Sequence, residues 1–422
     1  MNTLNDDAWK HYLHVKNIKF DEPTYYVDAA ELKQLTNREP RLLAKFDTPD
    51  QLPKPLKEAG YTLLPIKNGK YQLVHGTLFV SLPPCRLSYN NFEPRISFPL
   101  TTEGRGQGES QYIDQAFNSG LLHEFFSISE MYQTIRGREY TKRFYFQWDA
   151  QLIEVESVQI EVDAGYESLN EIVLVEAKIG VPSHFNLRQL YYPYRHFLTL
   201  APQKRIRTVF LAYDLPTTSY HLFEYKFDKL DNPLSGFIER CGVYRVSSTV
   251  RQSIHALIDV RFQSASKIVP QADDLNKVYE ILLLVEADID NAENVADYFG
   301  FDERQSSYYR EAAEYLGLLE GYKLTEMGIA LLSISVSEQS LFLAKGVVNS
   351  WIFCALIAVA VKHGSFTRKD IENTITSAKK ADGSQYSAST VKRRSSTIVS
   401  WLNWLAQEFD CFTIEKNVYR LR

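Results

Sequence analysis

Two β-type runs, only a few residues apart, constrain this chain more than any other feature. FYFQWDAQLIEVESVQIEVDAG and EIVLVEAKIG are dense in branched and aromatic side chains with period-two character, and YESLN joins them. Ile172, Val173, Leu174 and Val175 leave the second run no polar face, so it belongs inside a sheet. Yet it ends in Glu176-Ala177-Lys178. Positions two apart in a strand share a face, so that carboxylate and ammonium project together. Asp163 closes the preceding strand, with twelve residues between it and Glu176, and a hairpin brings the two side by side. Two carboxylates and a lysine at the ends of buried strands are costly unless they hold a cation and a polar substrate. Hard oxygen ligands suit Mg²⁺, which keeps several waters and accepts one or two carboxylates plus phosphate oxygen. A lysine beside it can orient the attacking water. The chemistry expected is metal-assisted phosphodiester hydrolysis. The competing interpretation is a surface hairpin with a cross-face ion pair of little energetic value.

VQIEVDAGYE followed by IVLVEAKIG resembles the active-site hairpin of the PD-(D/E)xK nuclease superfamily, specifically its type II restriction endonucleases. The segment from Asn186 to Arg195 (NLRQLYYPYR) resembles the Gln/Tyr-bearing helix that follows the ExK strand in several such enzymes. The likeness covers roughly residues 110–230, and Val162 stands where the family usually has Pro. The N-terminal EPRLLAKFD is similar, less specifically, to a segment of some restriction enzymes. The resemblance implies that Asp163 and Glu176 bind Mg²⁺, that the Ala177 carbonyl supplies another ligand, and that Lys178 is the catalytic lysine. It implies cleavage of double-stranded DNA at a specific sequence, leaving 5′-phosphates. Cutting both strands of a palindrome recruits two active sites, hence a homodimer. A cognate DNA methyltransferase is implied by the family alone. Two rivals stay open: a nuclease dependent on methylated DNA, and a DNA-binding regulator with an inactive nuclease fold. Intact Asp163, Glu176 and Lys178 speak against the second.

Auxiliary candidates surround this core. Glu161 shares the face of Asp163 and is either a further ligand or an exposed strand carboxylate. Glu124 and Glu130 are expected on the upstream helix, where many nucleases of this class place an extra carboxylate; the alternative is a solvated helix surface. Gln189 is either a contact to the nucleophilic water or the DNA backbone, or a helix-surface amide. Arg136 and Arg138, in IRGREYTKRF, form either a basic turn placed for phosphates or a solvated loop. Arg105, in a glycine-rich loop, Gly104–Gly108, expected to be mobile, is either a phosphate contact or a solvated surface arginine. Tyr192 and Tyr194 are expected in the core.

The expected fold is an α/β (α+β) core, restriction-endonuclease-like with a mixed central sheet, followed by two mainly helical winged helix-turn-helix domains. Residues 1–110 form an N-terminal α+β region with an Asn68-Gly69 hairpin, packed on the core and contacting DNA. Residues 111–268 form the core, starting with a helix from Tyr112 to about Gln133. The winged helices occupy 269–345 and 346–422. The longest apolar run, Gly346–Val361, is shorter than a spanning helix and reads as a buried core helix. Four scattered cysteines give no disulfide framework or zinc site, and no signal pattern opens the chain, so no membrane and a cytoplasmic setting are expected.

A net charge of -5 disfavours nucleic acid only until it is resolved along the chain. Residues 361–422 carry eleven Lys/Arg and six Asp/Glu, whereas 271–345 carry five and fifteen. The second winged helix therefore has the electrostatic footprint of a DNA binder. In SASTVKRRSSTIVSWLNWL, Val391, Ile398, Leu402 and Leu405 form one apolar face, leaving Thr390, Lys392, Arg393, Arg394 and Ser396 to reach phosphates or base edges. The acidic first winged helix is expected to pack on the core, on its basic neighbour or across a dimer.

Overall fold

The computed structural model describes residues 3–83, 90–96, 100, 108–246, 254–259, 269–300, 302–378, 384–409 and 411–422. Cys85 and, except for Gly108, the glycine-rich stretch around Arg105 lie outside the described residues. No disulfide joins Cys241, Cys354 or Cys411.

The N-terminal unit begins with α1 (Leu4–Val15), whose first turn is closed by a capping box between Thr3 and Asp6. It continues through β1 (Thr24–Asp28), α2 (Ala29–Thr36), α3 (Pro40–Ala44), α4 (Lys54–Ala59), β2 (Tyr61–Lys67) and β3 (Lys70–His75). Asp28 ends β1 and caps α2 by accepting from the Ala30 and Glu31 amides. The strands pair in the order β1-β3-β2. Lys67 faces Lys70 across the expected Asn68-Gly69 turn, and Gly69 supplies the positive φ that such a turn demands. Trp9, Tyr12, Leu32, Leu43, Leu56 and Leu73 form this unit's own core.

The second unit contains β4 (Phe79–Ser81), β5 (Asn90–Phe92), α5 (Ser110–Asn118), α6 (Leu121–Phe126), β6 (Tyr132–Tyr140), β7 (Phe144–Trp148), β8 (Gln151–Val155), β9 (Gln159–Glu167), β10 (Glu171–Ile179), β11 (His184–Asn186), α7 (Arg188–Leu200), β12 (Arg205–Asp214), β13 (Ser219–Phe227), β14 (Gly236–Val246) and α8 (Ile254–Leu257). Among the described residues, seven strands form a mixed sheet in the order β5-β14-β13-β12-β10-β9-β6. Strand β12 runs parallel to β10, joined through α7, while β9 and β13 are antiparallel to their neighbours. The helix expected to run to about Gln133 stops at Phe126, where Ser127 turns left-handed, and β6 follows. The expected boundary at residue 110 also shifts, because β4 pairs with β11 and β5 with β14, which ties the chain from residue 79 onward to this unit.

Alternation along β10 sends Val173, Val175, Ala177 and Ile179 towards α5 and α6, and Ile172 and Leu174 towards Phe197 of α7. On strand β9, Val162 packs with Ile172 and Leu174, whereas Ala164 and Tyr166 pack with the opposite cluster. The inside–outside alternation therefore breaks at Asp163. The β6–β9 register shifts just beyond this point, and Gly165 leaves the space that Ile135 fills: a Cβ there would lie 2.7 Å from the Ile135 Cβ.

The remaining chain is mainly helical: α9 (Leu275–Glu286), α10 (Ala292–Phe299), α11 (Glu303–Tyr315), β15 (Leu319–Glu320), β16 (Lys323–Leu324), α12 (Glu326–Ser333), α13 (Val336–Val348), α14 (Trp351–His363), β17 (Phe366–Thr367), α15 (Arg368–Ser377), α16 (Ala388–Glu408), β18 (Phe412–Glu415) and β19 (Val418–Leu421). Each half thus has helices followed by a strand hairpin, the second with β17 paired to β19. The expected division at 345/346 falls inside α13. The apolar run 346–361 is not one helix: it breaks at Asn349, whose side-chain amide donates to Leu257 O and Lys345 O, both at 2.8 Å, and α14 leaves at 71° to α13. No single described helix is long and apolar enough to cross a membrane.

The acidic helices α9–α11 pack on the sheet unit and share a continuous buried cluster with it and with α16, running from Val175 and Tyr213 through Tyr279 to Trp401. Asn276 forms the seam. Its side chain accepts from the Leu215 amide at 2.9 Å and donates to Asp214 at 2.9 Å. Further on, the Trp404 indole donates to Pro216 O, and Arg245 pairs with Glu408.

Candidate active site

Asp163 sits where the β9–β10 ladder stops, beyond the Val175–Ala164 pair. There its Oδ2 accepts the Ala177 N–H at 2.8 Å, taking the place of a backbone carbonyl. In a strand the N–H and C=O of one residue point to the same edge, so the Ala177 carbonyl also faces this gap. Glu176 and Lys178 project together from the next positions of β10, and Lys178 Nζ lies 2.9 Å from Glu176 Oε1. The Gln189 amide, in the first turn of α7, donates to the same Glu176 oxygen. The structure therefore brings together Asp163, Glu176, Ala177, Lys178 and Gln189.

Of the auxiliary carboxylates, Glu161 lines the same cleft, half-exposed and paired with Arg138 at 3.5 Å. Glu124 and Glu130 do not reach it. Both are exposed, Glu124 pairing with Arg95 at 3.2 Å and Glu130 accepting from the Tyr132 hydroxyl. The position they were expected to fill is taken by Glu109, just before α5, with its Oε1 3.7 Å from Lys178 Nζ. Arg136 and Arg138 lie on strand β6 rather than in a turn. Arg136 is tied to Asp114, while Arg138 lines the cleft. Tyr192 is fully buried, its hydroxyl donating to Pro65 O at 3.0 Å.

The cleft has a volume of about 1030 Å³. Its walls come from three distant parts of the chain: residues 41–71, residues 158–193 around the carboxylates, and α9–α10. Arg41, Lys45, Lys57, Lys67 and Arg188 make much of the rim basic, and Asp47, Glu109 and Glu280 add carboxylates deeper in. At one end the walls touch. Gln51 Nε2 donates to Tyr298 O at 3.0 Å, and Arg38 pairs with Asp297 and, at 3.8 Å, with Glu293.

Electrostatics follow from burial. Glu176 is 6 % exposed, and burial pushes its carboxyl up to about 8; Lys178 opposes this while Asp163 and Asp47 add to it. Burial works against charge on Lys178 too, but Glu176, Glu109, Asp47 and Asp163 hold its pKa well above the ordinary lysine value. Burial also raises Glu109, and it lifts Glu280 to about 8, helped by Asp274 and Glu109. For Glu176 the folded state keeps its proton to higher pH than the unfolded chain does. The metal-free fold is thus penalised progressively as the pH rises from about 4.5 to about 8. Glu176→Gln is expected to raise the metal-free denaturation midpoint at pH 8 and to flatten its fall across that window; scanning fluorimetry from pH 5 to 8.5 checks both.

No group of three or more His, Cys, Asp or Glu side chains among the described residues is close enough to hold a metal by itself. Two carboxylates and a carbonyl still fit Mg²⁺, which keeps most of its waters. Nothing but the Ala177 amide is bonded to Asp163, and the other Glu176 oxygen accepts no hydrogen bond among the described residues. Buried Gln189 Oε1 and Asp47 Oδ1 have no partner there. The oxygen-rich donor set suits a hard cation better than a soft one.

On α16, the apolar face of Val391, Ile398, Leu402 and Leu405 is buried as expected, and Lys392, Arg393 and Ser396 are exposed. Thr390 is half-buried, with its hydroxyl 2.9 Å from that of Ser387. Arg394 departs from expectation: it is 7 % exposed, with its guanidinium 4.7 Å from the Tyr386 ring centroid. Burial lowers its pKa, against Tyr386 and Glu311 of the neighbouring α11. Its place is in the packing between the helical halves.

Three family models match stretches of the chain, each described as a domain of unknown function: DUF6996 over residues 6–73, DUF6997 over 89–240 and DUF7226 over 277–410. No curated protein and no solved structure matches. The middle stretch carries Asp163, Glu176, Lys178 and Glu109, and the last spans both helical halves.

Proposed function

We propose that the chain is a Mg²⁺-dependent endonuclease of the PD-(D/E)xK type, hydrolysing double-stranded DNA at a specific sequence as type II restriction endonucleases do. One observation carries this: Asp163 is bonded to the Ala177 amide while the Glu176–Lys178 pair projects beside it into an open cleft with a basic rim. The element order supports it: helices α5 and α6, antiparallel β6, β9 and β10, then α7 and a parallel β12. Asp163, Glu176 and the Ala177 carbonyl would hold Mg²⁺, which when bound stabilises charge on the phosphate and lowers the pKa of a water. Lys178, fixed by Glu176 and Glu109, presents a lasting positive charge to the phosphate oxygens. Gln189 orients the Glu176 carboxylate. A homodimer would cut both strands, with a partner methyltransferase protecting the host sequence.

Digestion of methylated and unmethylated plasmid with and without Mg²⁺, followed by sequencing of the ends, tests activity, site and modification dependence together. Defined ends that require Mg²⁺ are expected; intact plasmid under every condition would sink the proposal. Cleavage confined to methylated plasmid would instead identify a modification-dependent enzyme.

Exposed Lys392 and Arg393 would hold DNA through phosphates. Replacing both with alanine is expected to weaken binding about tenfold at physiological salt and to reduce the slope of log K against log salt by roughly two. Arg394→Ala should leave that slope unchanged and lower the denaturation midpoint instead. Fluorescence anisotropy across a salt series separates the two outcomes.

A further inference from the structure

The N-terminal unit contributes Asp47 to the cleft, in the loop after α3. The backbone around it is fixed from both sides. Gln51 Oε1 accepts the Asp47 and Thr48 amides at 2.7 and 3.1 Å, and the Asn186 side chain, at the entry to α7, donates to Phe46 O at 2.9 Å. Held in this way, the Asp47 carboxylate has one oxygen, Oδ1, shielded from solvent with no hydrogen-bond donor among the described residues. A buried anionic oxygen without a partner is unfavourable unless something cationic or hydrogen-bonding completes it. Gln189 Oε1, in the same cleft and on the side chain that holds Glu176, is equally shielded and unpartnered. Two orphaned oxygens belong to residues that line the cleft of the carboxylates proposed to hold Mg²⁺, yet among the described residues no third acidic side chain stands close enough to join them as a direct ligand. A cation that retains its waters resolves both facts, since those waters are donors that need acceptors beyond the inner ligands.

We infer that Asp47 is a positioning residue of the cation site, its free carboxylate oxygen accepting hydrogen bonds from the water shell of the metal. This rests on the assignment of Asp163 and Glu176 as metal ligands. It makes the site complete only when the N-terminal unit is docked on the sheet.

The test is Mg²⁺ and Mn²⁺ affinity of the full-length protein, read as metal-dependent thermal shift and by calorimetry, for wild type, Asp47→Asn, Asp47→Ser and the control Asp50→Asn. Asp50 lies on the same loop, is exposed and pairs with Lys57. Both Asp47 variants are expected to keep the metal-free midpoint and to bind the cation about tenfold more weakly, as losses of such outer partners do. Asp50→Asn is expected to match wild type. Unchanged affinity in folded Asp47 variants overturns the inference even if the protein cuts DNA. Weakened affinity in a protein that cuts no DNA supports the cation site and removes the nuclease proposal instead. Wild type that binds neither metal overturns both.

Discussion

Replacing Lys178 with alanine is expected to lower Mg²⁺-dependent DNA cleavage by two to three orders of magnitude while leaving DNA binding within about twofold of wild type. Lys178 is the one cationic side chain within 4 Å of Glu176 among the described residues. The acidic groups around it favour its charged form against burial, Glu176 and Glu109 fully so only once they have lost their protons. On the proposed function Lys178 would offer a fixed positive charge where charge builds on the phosphate, at the wall of an open cleft. DNA binding, on the proposed function, would draw on other groups, namely the basic rim and the C-terminal helix. Single-turnover cleavage and anisotropy on one oligonucleotide give both quantities; undiminished cleavage would remove Lys178 from the chemistry. Loss of binding in parallel would make the lysine a docking contact. The substitution also leaves Glu176 buried beside Asp163 without its cation. Glu176 would then retain its proton to still higher pH, so metal affinity should fall most at neutral pH and recover in alkali.

The largest stability effect is expected at Arg207. Its guanidinium meets Glu224 through two hydrogen bonds, of 2.6 and 2.9 Å, donates to Phe126 O at 3.1 Å and approaches Glu171 at 3.3 Å. It lies 4.5 Å from the Phe126 ring centroid. Both members of the pair are buried, and Arg240 from β14 shares Glu224 at 2.9 Å. Arg207→Ala removes a charge from a place that water cannot refill and leaves buried Glu224 to the more exposed Arg240, at an expected cost of about 3 kcal/mol, the lower end of what breaking a buried pair costs. The urea midpoint should fall accordingly. Arg207→Met combined with Glu224→Leu should recover much of that loss, because no charge is then left buried alone. A double variant as unstable as Arg207→Ala would show that the pair also contributes through the Phe126 and Glu171 contacts.

Some of this was legible in the sequence because local pattern dictated it. The run Ile172–Val175 could only be an inner strand, which set Glu176 and Lys178 on one face; the Asn68-Gly69 turn and the apolar face of α16 were equally local. Glu109 and Asp47 were not legible. Each lies in an irregular segment with no periodicity, and each reaches the cleft only through packing of elements remote in sequence. Strand β6 was hidden because the helical spacing of Phe117 to Phe126 gave no stop signal; the turn is made by Ser127, a residue with no special preference for that conformation. Arg394 lies among basic neighbours on an exposed-looking stretch, and only the docking of α11 against α16 buries it. The break of α13 at Asn349 was marked by its own residue, but the length of the apolar run outweighed it.

The cleft has one more consequence, in the order of synthesis. Its walls are made at three separate times, the last only when α10 has been translated. Units fold as they emerge, N-terminal first. The sheet unit can thus form with Asp163, Glu176 and Lys178 in register while the cleft still lacks a side. Until the chain through Phe299 has joined the fold, the cleft lacks the wall that α9 and α10 supply.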